Sequence, residues 1–138
     1  NFVGMNPELA GEAVLVLNLE HPAQYLVDPG SFEVQRTEQP LGWGITNLAP
    51  FLIELTDRGV ERYGMRLRPE YSTGVPGDLG RYSPLGVPRV QGIHAAPLYH
   101  TTGDVFESIS VEGLERAARF HTFFVKGVAA ASTEQIQP

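Results

Sequence analysis

The segment Glu12-Ala13-Val14-Leu15-Val16-Leu17-Asn18-Leu19 most narrows the folds open to this chain. It is short, continuous and apolar, and it follows Gly11. Such a run reads as a buried strand of the kind found in sheets covered on both faces, because a half-exposed strand would alternate apolar and polar residues. Glu20-His21-Pro22 stands where the strand should end. In open α/β sheets, functional groups collect at the carboxyl ends of strands, so this strand places two candidate ligands at a favoured position.

Further along, Asp28-Pro29-Gly30 reads as a turn. A strand is expected over 32–36 and another around Trp43. Thr46 is expected to cap a helix over 47–63, with Leu48, Phe51, Leu52 and Leu55 on one side. Pro50 suits its first turn, and Gly59 weakens its later part. A short strand is expected over 65–68. Residues 69–87 are rich in Gly and Pro and predict a long loop. Another strand runs over 88–94 and ends at His94, before a loop carrying His100. Ser110 caps a final helix over 111–128. Its buried face is expected to be Val111, Leu114, Ala118, His121, Val125 and Val128, at spacings of three and four. His121 then belongs to the core, as do Trp43, Phe120, Phe123 and Phe124. The tail over 129–138 is expected to fray.

Together these elements predict an α/β fold. It is a partial three-layer sandwich with a mixed, mostly parallel sheet flanked by helices, in a single domain of 138 residues. The formal charge of −6 argues against a nucleic-acid or anionic-membrane surface. No apolar run is long enough to span a bilayer. The absence of cysteine excludes disulfides and thiolate metal sites. Any metal must therefore be held by His, Asp and Glu, a donor set that suits zinc or a harder divalent ion.

The stretch Tyr99-His100-Thr101-Thr102-Gly103-Asp104-Val105-Phe106-Glu107-Ser108-Ile109 carries the strongest chemical signal. A loop histidine followed by nearby carboxylates is well placed to bind a metal, with an acid fixing the ring. The bland counterpart is a loop histidine bonded to a neighbouring acid. This stretch resembles the His-Thr-x-x-Asp-Thr-x-Glu-x-Ile segment that leads into the last helix of co-catalytic zinc aminopeptidases. That family includes bacterial leucyl aminopeptidases and glutamate carboxypeptidases. The preceding pieces follow the order of the family's C-terminal half. Leu17-Asn18-Leu19-Glu20 stands for an Asn-Leu-Asp-like strand end. Gly77-Asp78-Leu79 stands for Ser-Asp-His, and Leu85-Gly86-Val87-Pro88 for Gly-Ile-Pro.

The resemblance implies zinc as cofactor and a peptide or aminoacyl substrate, with metal-activated water attacking the peptide bond. It implies metal ligation by His100 and Glu20, with Asp104 and Asp78 bracing the ligand-bearing segments. His94 and His21 are further candidate ligands. The chain departs from the pattern at Glu20, Gly77, Leu79 and Val105. It also lacks the family's first half, which carries the other zinc-binding His, the bridging Asp and the paired Glu that includes the general base. No catalytic residue is therefore assigned, and the chain reads as a fragment of a larger peptidase-like domain. Two other readings stand beside this one. One is a non-catalytic binding or assembly module, a homodimer covering an open strand edge. The other is a minimal hydrolase with one metal on Glu20, His94 and His100.

Overall fold

A computed structural model describes residues 2–28, 30–94 and 97–138, together with the backbone but not the side chain of Pro69. Two single-turn helices, α1 (Phe2–Met5) and α2 (Leu9–Glu12), open the chain. They lead into β1 (Val16–Glu20), β2 (Tyr25–Val27), β3 (Val34–Glu38) and β4 (Leu41–Ile45). Helix α3 (Pro50–Tyr63), β5 (Leu67–Ser72), a 3-10 helix (Gly77–Leu85) and β6 (Arg89–Ile93) follow. The chain ends with α4 (Val111–Ala129) and α5 (Thr133–Ile136).

The main sheet has the order β1-β6-β4-β5. β1 and β6 are parallel, with Val16 opposite Arg89 and Glu20 opposite Ile93. β4 runs antiparallel to β6 and parallel to β5. The fold is thus α/β, with a mixed, mostly parallel sheet flanked by helices. β2 and β3 form a separate antiparallel ribbon.

One face of the sheet carries the core. Leu41, Trp43 and Ile45 of β4 alternate onto it, joined by Val90 of β6 and by Leu15 and Leu17 at β1. Helices α3 and α4 cover them. Trp43 meets Phe120 and Phe124 edge-on, at ring distances of 5.3 and 5.5 Å, an arrangement the aromatic quadrupoles favour. Gly92 lies beneath this packing: a Cβ there would come within 2.8 Å of Trp43 and 2.9 Å of Leu41. On the opposite face, the 3-10 helix seats Leu79 and Leu85 near β1 and β6.

Several sequence expectations shift. Helix α3 starts at Pro50, with Ala49 as its N-cap, and Thr46 instead accepts the Arg89 amide through its hydroxyl at 3.0 Å. Gly59 is no simple weak point, because it lets α3 approach Phe120. The loop expected over 69–87 contains the end of β5 and a nine-residue 3-10 helix. Its buried leucines supply an apolar anchor that the Gly and Pro content obscures. On α4, Ser110 caps as expected, accepting the Gly113 amide at 2.9 Å. The buried face, however, is Gly113, Ala117, Phe120, His121 and Phe124, while Val111, Leu114 and Val125 are exposed. The large aromatic rings set the helix rotation. The tail does not simply fray: Ile136 is 1% exposed, and its carbonyl accepts from Asn47 Nδ2 at 2.8 Å. The Asp28-Pro29-Gly30 turn includes Pro29, which lies outside the described residues. Asp28 Oδ1 accepts the amides of Gly30 and Ser31, and these bonds hold its carboxyl below the ordinary carboxylate pKa.

Candidate functional site

The parallel pairing of β1 with β6 brings the carboxyl ends of both strands to one end of the sheet. Glu20 and His21 leave from β1, and His94 leaves from β6. At His21 the chain turns with a φ of 49°, a left-handed conformation uncommon for a side-chain-bearing residue. That turn swings His21 out of the strand's alternation. Its ring meets the Tyr99 ring edge-on at 4.9 Å. Tyr99 in turn stacks on His100 at 3.7 Å, and His100 also has a positive φ, of 60°. His21 and His100 thus flank one tyrosine, and His94 lies close enough to His21 for the His21 charge to lower the His94 pKa.

The histidines are not equivalent. His94 is 4% exposed, and its Nδ1 has no partner among the described residues. Burial lowers its pKa most; nearby backbone carbonyls of Pro40 and Pro22 act in the opposite direction, and the charges of His21 and Arg68 add to the lowering. Its imidazole is therefore held towards the neutral form, in which one ring nitrogen keeps a free lone pair. Among the described residues His21 Nδ1 is also buried without a partner. His100 is exposed.

Asp104 does not bond a histidine. It accepts from Gln24 Nε2 at 3.3 Å. Gln24 is buried, its carbonyl accepts the Gln39 amide, and its backbone bridges to Ile109. Gln24 thus pins both ends of the 104–109 stretch to the segment after β1. Within the loop, Thr101 Oγ1 donates to the Leu98 carbonyl at 2.7 Å and accepts the Gly103 amide.

Glu20 turns to the sheet face opposite the aromatic core. Its Oε2 accepts from Asn18 Nδ2 at 3.3 Å and from Gln91 Nε2 at 3.0 Å. A Cβ on Gly77, at a φ of +74°, would come within 3.1 Å of the same oxygen. Glu20 therefore abuts the start of the 3-10 helix as well as standing at the strand end. Asp78 forms an exposed ion pair with Arg81 at 3.4 Å. His121 lies in the core, where Nδ1 donates to the Ala117 carbonyl at 2.6 Å and burial lowers its pKa.

Among the described residues, no three His, Asp or Glu side chains converge as a metal ion requires. Glu20, His94 and His100 share one end of the sheet without forming such a group. A hydrolytic zinc takes about three protein ligands and an open position, and no such ligand set forms among the described residues. Sequence reasoning passed over Tyr99 as a contact residue, and Gln24 and Gln91 altogether. A glutamine amid the apolar residues of β6 was the available signal for Gln91, since a buried amide needs a partner. Comparison with protein-family models, curated proteins and solved structures finds no match to this chain, so its function must be argued from its own residues.

Proposed function

We propose that this chain is the histidine-bearing part of a zinc-dependent, peptidase-like α/β site of the aminopeptidase type, incomplete by itself. The supporting observation is the return of the His100 loop to the carboxyl end of β1. Tyr99 contacts His21, and Gln24 holds Asp104, so His100 and Glu20 belong to the same end of the sheet although eighty residues separate them in sequence. In this reading His100 and Glu20 are ligands. Gln24 and Asp104 position the loop, and the remaining ligands and the general base come from residues outside this chain. Zinc, once fully ligated, would activate water and polarise the scissile carbonyl of a peptide or aminoacyl substrate.

The test is zinc content after equilibrium dialysis, compared with His100→Ala. His100 is exposed, so this variant should fold. Zinc near one equivalent, lost in His100→Ala, supports the reading. No zinc in either protein, or equal zinc in both, refutes it.

A second reading is favoured by one observation. β1 has the sequence of an interior strand, yet it is an outer strand of the sheet and exposes Leu19. In this reading the chain is a non-catalytic assembly module whose β1 edge receives another strand, as in a homodimer. A Leu19→Lys variant that leaves the sedimentation mass of the wild type unchanged, both at the monomer value, refutes it.

A further inference from the structure

Helix α4 carries two apolar stripes, and its own chain covers one of them. Phe120, His121 and Phe124 meet Trp43 of the sheet, while Phe123 and Gly127 meet Tyr63 and Leu55 of α3. The second stripe is Val111, Leu114, Ala118 and Val125, all exposed, with Val111 63%, Leu114 41% and Val125 52% accessible. These residues keep the spacing of the a and d positions of a heptad, in which His121, turned to the core, holds the remaining place. Single exposed apolar side chains need no partner, but a row of them along about 21 Å of one helix marks an interaction surface.

The row lies on the same side of the molecule as the open edge of the sheet. At about 100° per residue, it stands about half a turn round α4 from Phe123 and Gly127. α3 joins β4 to β5, so the row faces away from that half of the sheet and towards β1, the outer strand at the other edge. Two hydrogen bonds fix this placement. At the start of α4 the Ser110 amide donates to the Ala23 carbonyl, just after β1, at 2.8 Å. Beyond its end Gln137 Nε2 donates to the Val14 carbonyl, just before β1, at 2.9 Å. α4 thus runs back along β1, which exposes Leu19 and pairs with no strand other than β6 among the described residues.

A second copy of the chain fits both features at once, because a two-fold pair sets the same surface of each copy against the other. The polar flank of the row decides the orientation. It carries Glu115 in its first half and Lys126 in its second. Parallel helices would set Glu115 against Glu115 and Lys126 against Lys126, whereas antiparallel helices bring Glu115 near Lys126. Lys126 has no ion-pair partner among the described residues. Exposed pairs of this kind select an orientation and add little affinity, which comes from covering the apolar row. Ala118, small and in the middle of the row, lets the two helices approach closely. We infer that α4 docks antiparallel on α4 of a second copy, with Leu114 against Val125 of that copy and Ala118 nearest the two-fold axis. This pairing rests on the assembly reading above and places its β1 edge at the same interface.

The test combines sedimentation with cysteine cross-linking of the whole chain, which has no cysteine of its own. The wild type should sediment as a dimer at ~100 μM, where a Kd of about 10 μM leaves most chains paired. Leu114→Asp and, separately, Val125→Asp should each weaken the dimer about tenfold or more, with unchanged helical circular dichroism because both positions are exposed. Under mild oxidation or with a short bismaleimide, Ala118→Cys should link to itself, and a mixture of Leu114→Cys with Val125→Cys should give the mixed dimer. Val111→Cys should not link to itself, because antiparallel helices hold its two copies about 25 Å apart. A wild type at the monomer mass overturns this inference together with the assembly reading. A dimer lost in Leu19→Lys but unchanged in both α4 variants overturns this inference alone. Val111→Cys linking to itself as readily as Ala118→Cys, the signature of parallel helices, also overturns it alone.

Discussion

Gly59→Ala sets helix propensity against packing, and the structure predicts which wins. Gly59 lies inside α3, where alanine is favoured over glycine by about 1 kcal/mol. An added Cβ would stand 2.7 Å from Cε2 and 2.8 Å from Cδ2 of Phe120, and 3.2 Å from Phe123. Phe120 cannot retreat cheaply. It is fully buried, with Trp43 at 5.3 Å on one side and His121 at 4.9 Å on another. Overpacking of this kind costs about 1–3 kcal/mol, and contact with a confined ring belongs in the upper half of that range. The net expectation is a loss of about 1–2 kcal/mol, read as a lower urea midpoint at unchanged m-value. Gly11→Ala, where nothing lies within 4 Å of the new methyl, serves as the control and should be neutral or slightly stabilising. Adding Phe120→Leu to Gly59→Ala should cost at least about 1 kcal/mol less than the sum of the single changes, because the smaller side chain relieves the overlap. If Gly59→Ala instead stabilises by the full propensity gain, the helices are not in contact as described.

Other expectations concern acid sensitivity and the termini of α4 and α5. His94 and His121 both have pKa values lowered by burial, so the unfolded chain binds their protons more readily than the folded one. Their contribution to stability is fully present above an unfolded pKa of about 6.5 and is lost as pH falls through the folded values. Urea midpoints should therefore fall between neutral pH and pH 5, and His121→Leu should flatten that profile. Ser110→Ala removes the cap on Gly113 and the hydroxyl bond to Glu38, and should cost about 1–2 kcal/mol by chemical denaturation. Ile136→Ala should cost about 2–4 kcal/mol if α5 is packed as described, and nothing measurable if the tail is free.

Features with a local signal were legible in the sequence, and those set by distant contacts were not. The Ser110 cap, the strand leading to His94 and the strand around Trp43 were all readable, because a capping hydroxyl or an apolar run suffices to mark them. The rotation of α4 was not. Val111, Leu114 and Val125 keep helical spacing as well as Phe120 and Phe124 do, and only Trp43 across the interface decides between the two faces. The 3-10 helix was hidden because Gly77, Gly80 and Pro84 are loop residues by composition, while its anchors Leu79 and Leu85 are too sparse to show a period. For the candidate site, the strand ends bearing Glu20, His21 and His94 were legible. The tethering of the His100 loop was not, since the Gln24–Asp104 bond joins residues with no local pattern between them.

The position of β1 bears on how the chain reaches its folded state. Val16 can find its partner only when residue 89 has been placed, so a long intervening loop must close before β1 gains any ladder bonds. β4, β5 and α3 are neighbours in sequence and can associate early, whereas β1 must wait for β6. β1 then holds to the sheet by one side only. The strand ending in Glu20 should therefore be the last to dock and the first to detach. Its amides should exchange with solvent through openings smaller than global unfolding, faster than those of β4. A candidate ligand would thus stand on the least cooperative strand of the sheet, where whatever binds it would also slow the opening of the fold.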